Sequence, residues 1–176
     1  MNKSSLLVLL FCFSATFAQV PVAMNCPDGW KWWIRSRGGW CMKVFAETIT
    51  EIQAEEKCAE HGAVIAGVQN SNESEWMAAE FESLHKGTGY FWIGSKRITP
   101  CRYVGITNRC TQITSFYWID KSTVGVQGFR WMLSEPNNVN GTQGCVGMES
   151  TSLLMDDLRC SDKTSGYVCG KVASFD

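Results

Sequence analysis

Cysteine spacing constrains this chain more than any other feature. Nine cysteines occur in 176 residues. The first, Cys12, lies in a stretch of a different kind. MNKSSLLVLLFCFSATFAQ has one lysine near its start, an apolar run from Leu6 to Phe13 and then small residues, with Thr16-Phe17-Ala18 as a cleavage site. Residues 1–18 therefore read as a secretory signal peptide, too short to span a bilayer. Eight cysteines remain: Cys26, Cys41, Cys58, Cys101, Cys110, Cys145, Cys160 and Cys169. An even count in an exported chain predicts four disulfides formed in an oxidising compartment. A zinc cluster would require close C-x-x-C pairs, and none occurs. Spacing alone leaves the connectivity open. No later segment is long and apolar enough for a membrane span, so the mature protein is expected to be secreted and extracellular.

Composition narrows the partners. Hydrophobic residues at 45% and aromatics at 12% suffice for one sizeable core, and the length favours one domain over two. A formal charge of −1 with no Lys/Arg cluster gives no pull toward nucleic acid or anionic membranes.

Between the cysteines the pattern alternates. CPDGWKWWIRSRGGWCMKVF interleaves aromatic and polar residues around Gly38-Gly39 and predicts a hairpin turning at that pair. TITEIQAEEKCAEHG predicts a helix with a Thr48/Glu51 capping box and Gly62 just past its end; Ile52, Glu55 or Glu56 and Ala59 alternate between its faces. AVIAGV reads as a short buried strand. NSNESEWMAAEFESLHKG predicts a second helix, capped by Asn72 with Glu75 and stopped at Gly87. Trp76, Ala79 or Glu80, and Leu84 share helical spacing, which places Trp76 in the core. YFWIG and SFYWID read as strands flanking a loop, CRYVGITNRC, and CVGMES, LLMDDLRC and YVCGKV as three more. Two early helices followed by many short strands make an α+β domain. Residues 95–144 are long and irregular, as functional segments of compact domains often are.

Enzymatic signatures are missing. His61 and His85 each fall at a helix C-terminus, where a cation suits the macrodipole. There is no G-x-S-x-G, no phosphate-cradling glycine loop and no H-E-x-x-H. Asp156 and Asp157 form the closest acidic pair, but nothing favours a glycosidase arrangement, and no enzymatic activity is expected. Asn72-Glu73-Ser74 and Asn140-Gly141-Thr142 are glycosylation sequons for an exported chain.

The stretch SEPNNVNGTQGCVG, residues 134–147, carries an unusual density of side-chain oxygens. With CPDGW and Cys41, EEKCAEHGAVIAGV, FWIG, FYWID, a Trp four residues before EPN, GCVGM, DDLRC and GYVC, it gives an ordered set that resembles the C-type lectin-like domain family in its longer form. The resemblance runs from Cys26 to about Val172, so one domain over residues 26–172 is expected. It implies a disulfide-stapled α+β fold of two helices, short antiparallel sheets and a long loop region. It also implies the pairs Cys26–Cys41, Cys58–Cys169 and Cys145–Cys160, with Cys101–Cys110 as an additional bridge. Cys58–Cys169 would close a long loop, worth about 4 to 5 kcal/mol by chain entropy.

In sugar-binding members of that family, one Ca²⁺ is held by the Glu-Pro-Asn loop, whose proline follows a cis peptide, and by a Trp-Asn-Asp strand. The implied ligands here are Glu135, Asn137, Gln143, Asp156 and Asp157, of which Glu135, Asn137, Gln143 and Asp156 would also meet sugar hydroxyls. Two positions depart from the usual residues. Gln143 stands where Glu is customary, and Met155-Asp156-Asp157 replaces Trp-Asn-Asp. The set keeps three carboxylates and two amides, all hard oxygen donors suited to Ca²⁺. At Gln143 and Asp156 the acid and the amide have exchanged places, and a rotatable hydroxyl tolerates that exchange. Loss of the Trp removes packing behind the site. Asn138 and Gly144 stand where auxiliary acids would be, so one ion is expected. Glu-Pro-Asn implies mannose, fucose, glucose or N-acetylglucosamine as the sugar class. The alternative is a Ca²⁺-independent protein-binding module on the same fold.

Overall fold

The computed structural model describes residues 24–175. The signal peptide expected over residues 1–18 lies outside the described residues. The chain forms β1 (Met24–Asn25), β2 (Lys31–Arg35), β3 (Gly38–Phe45), β4 (Ile49–Thr50), α1 (Glu51–Glu60), β5 (Val64–Ile65), α2 (Ser71–His85) and β6 (Tyr90–Arg97). After an irregular stretch come β7 (Phe116–Trp118), β8 (Cys145–Glu149), β9 (Met155–Leu158), β10 (Lys163–Thr164), β11 (Gly166–Val172) and β12 (Ser174–Phe175).

The main sheet runs in the order β2-β3-β11-β6-β8-β9, with β5 on β11 and β7 on β6. Its pairings are antiparallel except β11 with β6, where Gly166 faces Phe91 and Tyr167 faces Trp92. Residues of the central strands divide by parity, as a pleated strand requires. Phe91, Ile93, Val146, Met148 and Val168 join one buried cluster with Met77, Ala78 and Phe81 of α2. Trp92, Cys145, Tyr167 and Cys169 join a second with Ala54 and Cys58 of α1. Buried on both faces, these strands are almost continuously apolar. The disulfides are Cys26–Cys41, Cys58–Cys169, Cys101–Cys110 and Cys145–Cys160.

Both helix starts differ from expectation. α1 is capped by Thr50, whose hydroxyl accepts from Gln53 N at 3.3 Å while Gln53 Oε1 accepts from Thr50 N at 3.0 Å. The Thr48/Glu51 box cannot form because Ile49 and Thr50 are already paired with β10. Glu51 turns inward instead, fully buried against Lys96. α2 is capped by Asn70, which accepts from Glu73 N at 3.1 Å, rather than by Asn72. Its buried face is Glu73, Ser74, Met77, Ala78 and Phe81. Trp76 therefore only edges the core, its ring 5.7 Å from that of Trp33, and Leu84 is exposed. In the hairpin, Gly38 already pairs with Arg35, so the turn is Ser36-Arg37 and not Gly38-Gly39.

A buried guanidinium ties three segments together. Arg35 of β2 makes a two-nitrogen contact with Glu73 of α2 (2.9 and 2.6 Å) and a 2.9 Å contact with Asp120. It also donates to Thr123 Oγ1 and Gly67 O, and stands 5.1 Å from the Trp40 ring centroid.

Candidate functional site

The irregular stretch meets the sheet at its β9 edge, and Asp157 is the anchor. It is fully buried. Its Oδ1 accepts from Asn137 N and its Oδ2 from Asn138 N, both at 2.9 Å. These bonds suspend the Glu135–Asn138 segment from β9, and the Glu135–Pro136 peptide within it is cis. Glu135 folds back on the same turn, accepting from Asn137 N at 2.9 Å and from Asn137 Nδ2 at 2.6 Å.

Asn138 joins the next layer. Its φ of 52° is left-handed, which Asn tolerates better than most residues. Its Oδ1 accepts from Gln143 N at 3.0 Å, and its Nδ2 donates to the carbonyls of Arg102 (3.1 Å) and Val104 (2.9 Å). The loop closed by Cys101–Cys110 is thereby docked on the Glu-Pro-Asn segment. Gly105 sits so close to the Asn137 carbonyl that a Cβ would collide with it.

The carboxylates of Glu135, Asp156 and Asp157 offer oxygens within 4.8 Å of one another. Among the described residues, the one cation that pairs with any of them is Arg97, at the end of β6. Its side chain is 3% exposed and pairs with Asp157, while Nε donates to Gln143 O at 2.7 Å and Nη1 to Val104 O. Among the described residues, Glu135 and Asp156 pair with no cationic side chain. Three carboxylates facing one guanidinium leave about two negative charges uncompensated. Burial raises the pKa of Asp156, and the charge of Asp157 raises it further. Burial, with Glu135 adding to it, pushes Asp157 up to about 6 against the opposing pull of Arg97. Burial lowers Arg97, with Asp157 opposing. Hard oxygens crowded around a charge deficit of this size suit one divalent cation such as Ca²⁺.

Of the five residues implied by the resemblance, Glu135, Asn137, Asp156 and Asp157 come together. Gln143 reaches them through Asn137. Its Oε1 accepts from Val139 N, the same donor that Asn137 Oδ1 uses at 3.0 Å. The packing expected to be lost with the Trp is supplied by Met155, fully buried in the first core cluster and bridged to Trp131. Asn72 and Asn140 are both exposed. His61 and His85 lie apart from the site, stacked on Phe45 and Phe81. Arg97 escapes notice in the sequence, and Asn138 reads there only as standing where an auxiliary acid would be. The available signal was slight: a charged residue closing the aromatic strand YFWIGSKR, and a second Asn after Glu-Pro-Asn.

Known proteins share this fold. The family model for the lectin C-type domain matches residues 47–171. The C-type lectin lectoxin-Enh5 of Pseudoferania polylepis is 30% identical over 141 residues, covering 78% of each chain. The cow C-type carbohydrate-recognition domain of CD23, crystallised in the presence of a GlcNAc2Man3 oligosaccharide, superposes with a TM-score of 0.64 at 20% identity, over 86% of this chain and 99% of that one. A calcium-independent type II antifreeze protein superposes with a TM-score of 0.61 at 22% identity, over 86% and 98%. Members of the matched family are carbohydrate-binding, non-enzymatic proteins. With its four disulfides, its two helices on opposite faces of one sheet and its match over most of its length, this chain belongs to the C-type lectin domain family.

Proposed function

We propose that this protein is a secreted, Ca²⁺-dependent lectin for glycans of the mannose, fucose, glucose or N-acetylglucosamine class. The observation carrying this reading is the convergence of Glu135, Asp156 and Asp157 on a region short of positive charge. Glu135, Asn137, Asp156 and Asp157 would hold one ion, with Gln143 joining after a side-chain rotation. Bound there, Ca²⁺ would supply direct coordination of two neighbouring sugar hydroxyls. The protein's part is hydrogen bonding: carboxylates of Glu135 and Asp156 accept from the hydroxyls, and amides of Asn137 and Gln143 donate to them. Asp157, fixed by two backbone N–H groups, positions the loop. The same reading takes residues 1–18 as a cleaved leader, residues 26–172 as the binding domain, and Asn72 and Asn140 as acceptors of N-glycans.

The test is retention on immobilised mannose with and without chelator, alongside thermal unfolding with added Ca²⁺. An extracellular site of about 10⁻⁴ to 10⁻³ M affinity should release the protein on chelation. Saturation at about ten to a hundred times Kd should stabilise it by about 1.4 to 2.7 kcal/mol. Retention that ignores chelator, with no Ca²⁺ stabilisation, would support the second reading, a Ca²⁺-independent protein-binding module. One observation favours that alternative: Arg97 already pairs with Asp157.

A further inference from the structure

Beside the carboxylate group, and sharing Gln143 with it, lies a second concavity of about 710 Å³. Arg102 and Tyr103, from the loop closed by Cys101–Cys110, form one wall. Arg159, just past β9, forms another, with the hydroxyl residues Thr99, Thr142 and Ser161 between them. Among the described residues, no carboxylate lines this cleft.

Its cations are not equivalent. Arg97 reaches the cleft, but its guanidinium is already committed to Asp157, Gln143 O and Val104 O. Arg159 offers Asp162 only its Nε, at 3.0 and 3.2 Å, so its two terminal nitrogens have no hydrogen-bond partner among the described residues. Arg102 is exposed and pairs with no carboxylate among the described residues; its guanidinium carbon stands 5.4 Å from the Tyr103 ring centroid. Tyr103 is 76% exposed. This is not loose surface, since the loop carrying Arg102 and Tyr103 is fixed by its disulfide and by the Asn138 amide on the Arg102 carbonyl.

We infer that this cleft is a subsite for an acidic sugar residue, a sulfate ester or uronate on the glycan held at the neighbouring carboxylate group. The inference rests on the lectin reading for its occupant and on charge complementarity for its chemistry. Guanidinium forks match sulfate and carboxylate geometry. Hydroxyl side chains suit the remaining sugar hydroxyls, and an exposed tyrosine face suits a pyranose ring. The whole chain carries a formal charge of −1, so preference for an acidic glycan would arise at this cleft and not from bulk attraction.

The experiment measures affinity for three N-acetylated forms of one heparin-derived tetrasaccharide: sulfated, desulfated with its carboxylates intact, and desulfated with its carboxylates reduced. Each is titrated with Ca²⁺ and with chelator, against the unmodified protein, Arg102→Gln, Arg159→Gln and the control Arg37→Gln, whose arginine is exposed on the Ser36-Arg37 turn. An acidic form should bind about tenfold more tightly than the neutral one, as one charge-assisted hydrogen bond predicts. Preference for the sulfated form alone identifies sulfate; equal preference for both acidic forms identifies the carboxylate. Arg102→Gln should bring the ratio to within about twofold of one, Arg159→Gln should lower it, and Arg37→Gln should leave it. Equal affinity for all three forms, or an equal loss in Arg37→Gln, overturns the subsite. Neutral-form binding lost on chelation, with no acidic preference, overturns the subsite and leaves the lectin reading standing. Acidic preference that survives chelation and depends on Arg102 supports the subsite and overturns Ca²⁺ dependence.

Discussion

Replacing Arg35 by Met should cost a large share of this molecule's stability. The Arg35 side chain is 0% exposed, and its partners Glu73 and Asp120 are 1% and 0% exposed. All three guanidinium nitrogens are in use, on two carboxylates, the Thr123 hydroxyl and the Gly67 carbonyl. Methionine keeps much of the aliphatic volume beside Met42 and Trp40 but leaves two buried carboxylates without a counter-charge. Glu73 retains one backbone donor, Gln69 N at 2.8 Å, and Asp120 retains Gly67 N at 2.9 Å together with Ser122 N and Thr123 N. Breaking a buried pair from one side costs about 3 to 5 kcal/mol, a large share of an ordinary domain's stability of about 5 to 15 kcal/mol. Equilibrium guanidinium unfolding with disulfides intact, followed by tryptophan fluorescence and far-UV dichroism together, measures the loss. Coincidence of the two probes establishes the two-state condition. The triple variant Arg35→Met/Glu73→Gln/Asp120→Asn should recover more than half of it, because the amides hydrogen-bond without carrying charge. A single-variant loss below about 1 kcal/mol would refute the charge argument. A full loss with no recovery in the triple variant would assign the effect to packing on Trp40 instead.

Glu51 offers a test by pH. Burial raises its pKa, with Lys96 opposing, so its contribution to stability is present below the unfolded carboxylate value and is lost as pH rises through the folded one. Glu51→Gln should therefore gain stability relative to the unmodified protein as pH rises above the ordinary carboxylate range, and a difference independent of pH would contradict the shift. Ca²⁺ affinity, measured by calorimetry, should fall as pH drops through about 6, where buried Asp157 takes up a proton in competition with the ion. Removing the Cys101–Cys110 bridge by a double Ser substitution should cost about 2 to 3 kcal/mol from the chain entropy of a short loop. It should also weaken acidic-glycan preference more than neutral-glycan binding, a comparison that the three tetrasaccharides make directly.

Much of this protein is legible without its structure. Eight cysteines from Cys26 to Cys169, the order of aromatic strands and capped helices, and the Glu-Pro-Asn loop are local or ordered features, and they suffice for the α+β class and the family. Local rules failed where another segment competed for the same atoms. Thr48 could not cap α1 because strand pairing with β10 holds Ile49 and Thr50 until one residue before the helix. Asn72 could not cap α2 because the helix begins earlier, at Ser71 with Asn70 as its cap, and Glu73 is drawn inward to Arg35. Face assignment failed for a related reason: Trp76 and Met77 are both apolar, and only the docking of α2 on the sheet chooses Met77. The site divides in the same way. Glu135, Asn137, Asp156 and Asp157 carry a motif readable residue by residue, whereas Arg97, Asn138 and the cleft of Arg102 and Arg159 carry none. Composition showed no cationic cluster, because Arg102 and Arg159 are far apart in sequence. They share a cleft only because Asn138 and a disulfide fold one loop onto the Glu-Pro-Asn segment while β9 ends beside it. Proximity between remote side chains is a property of the path of the chain, and pairing and packing across the whole domain determine that path.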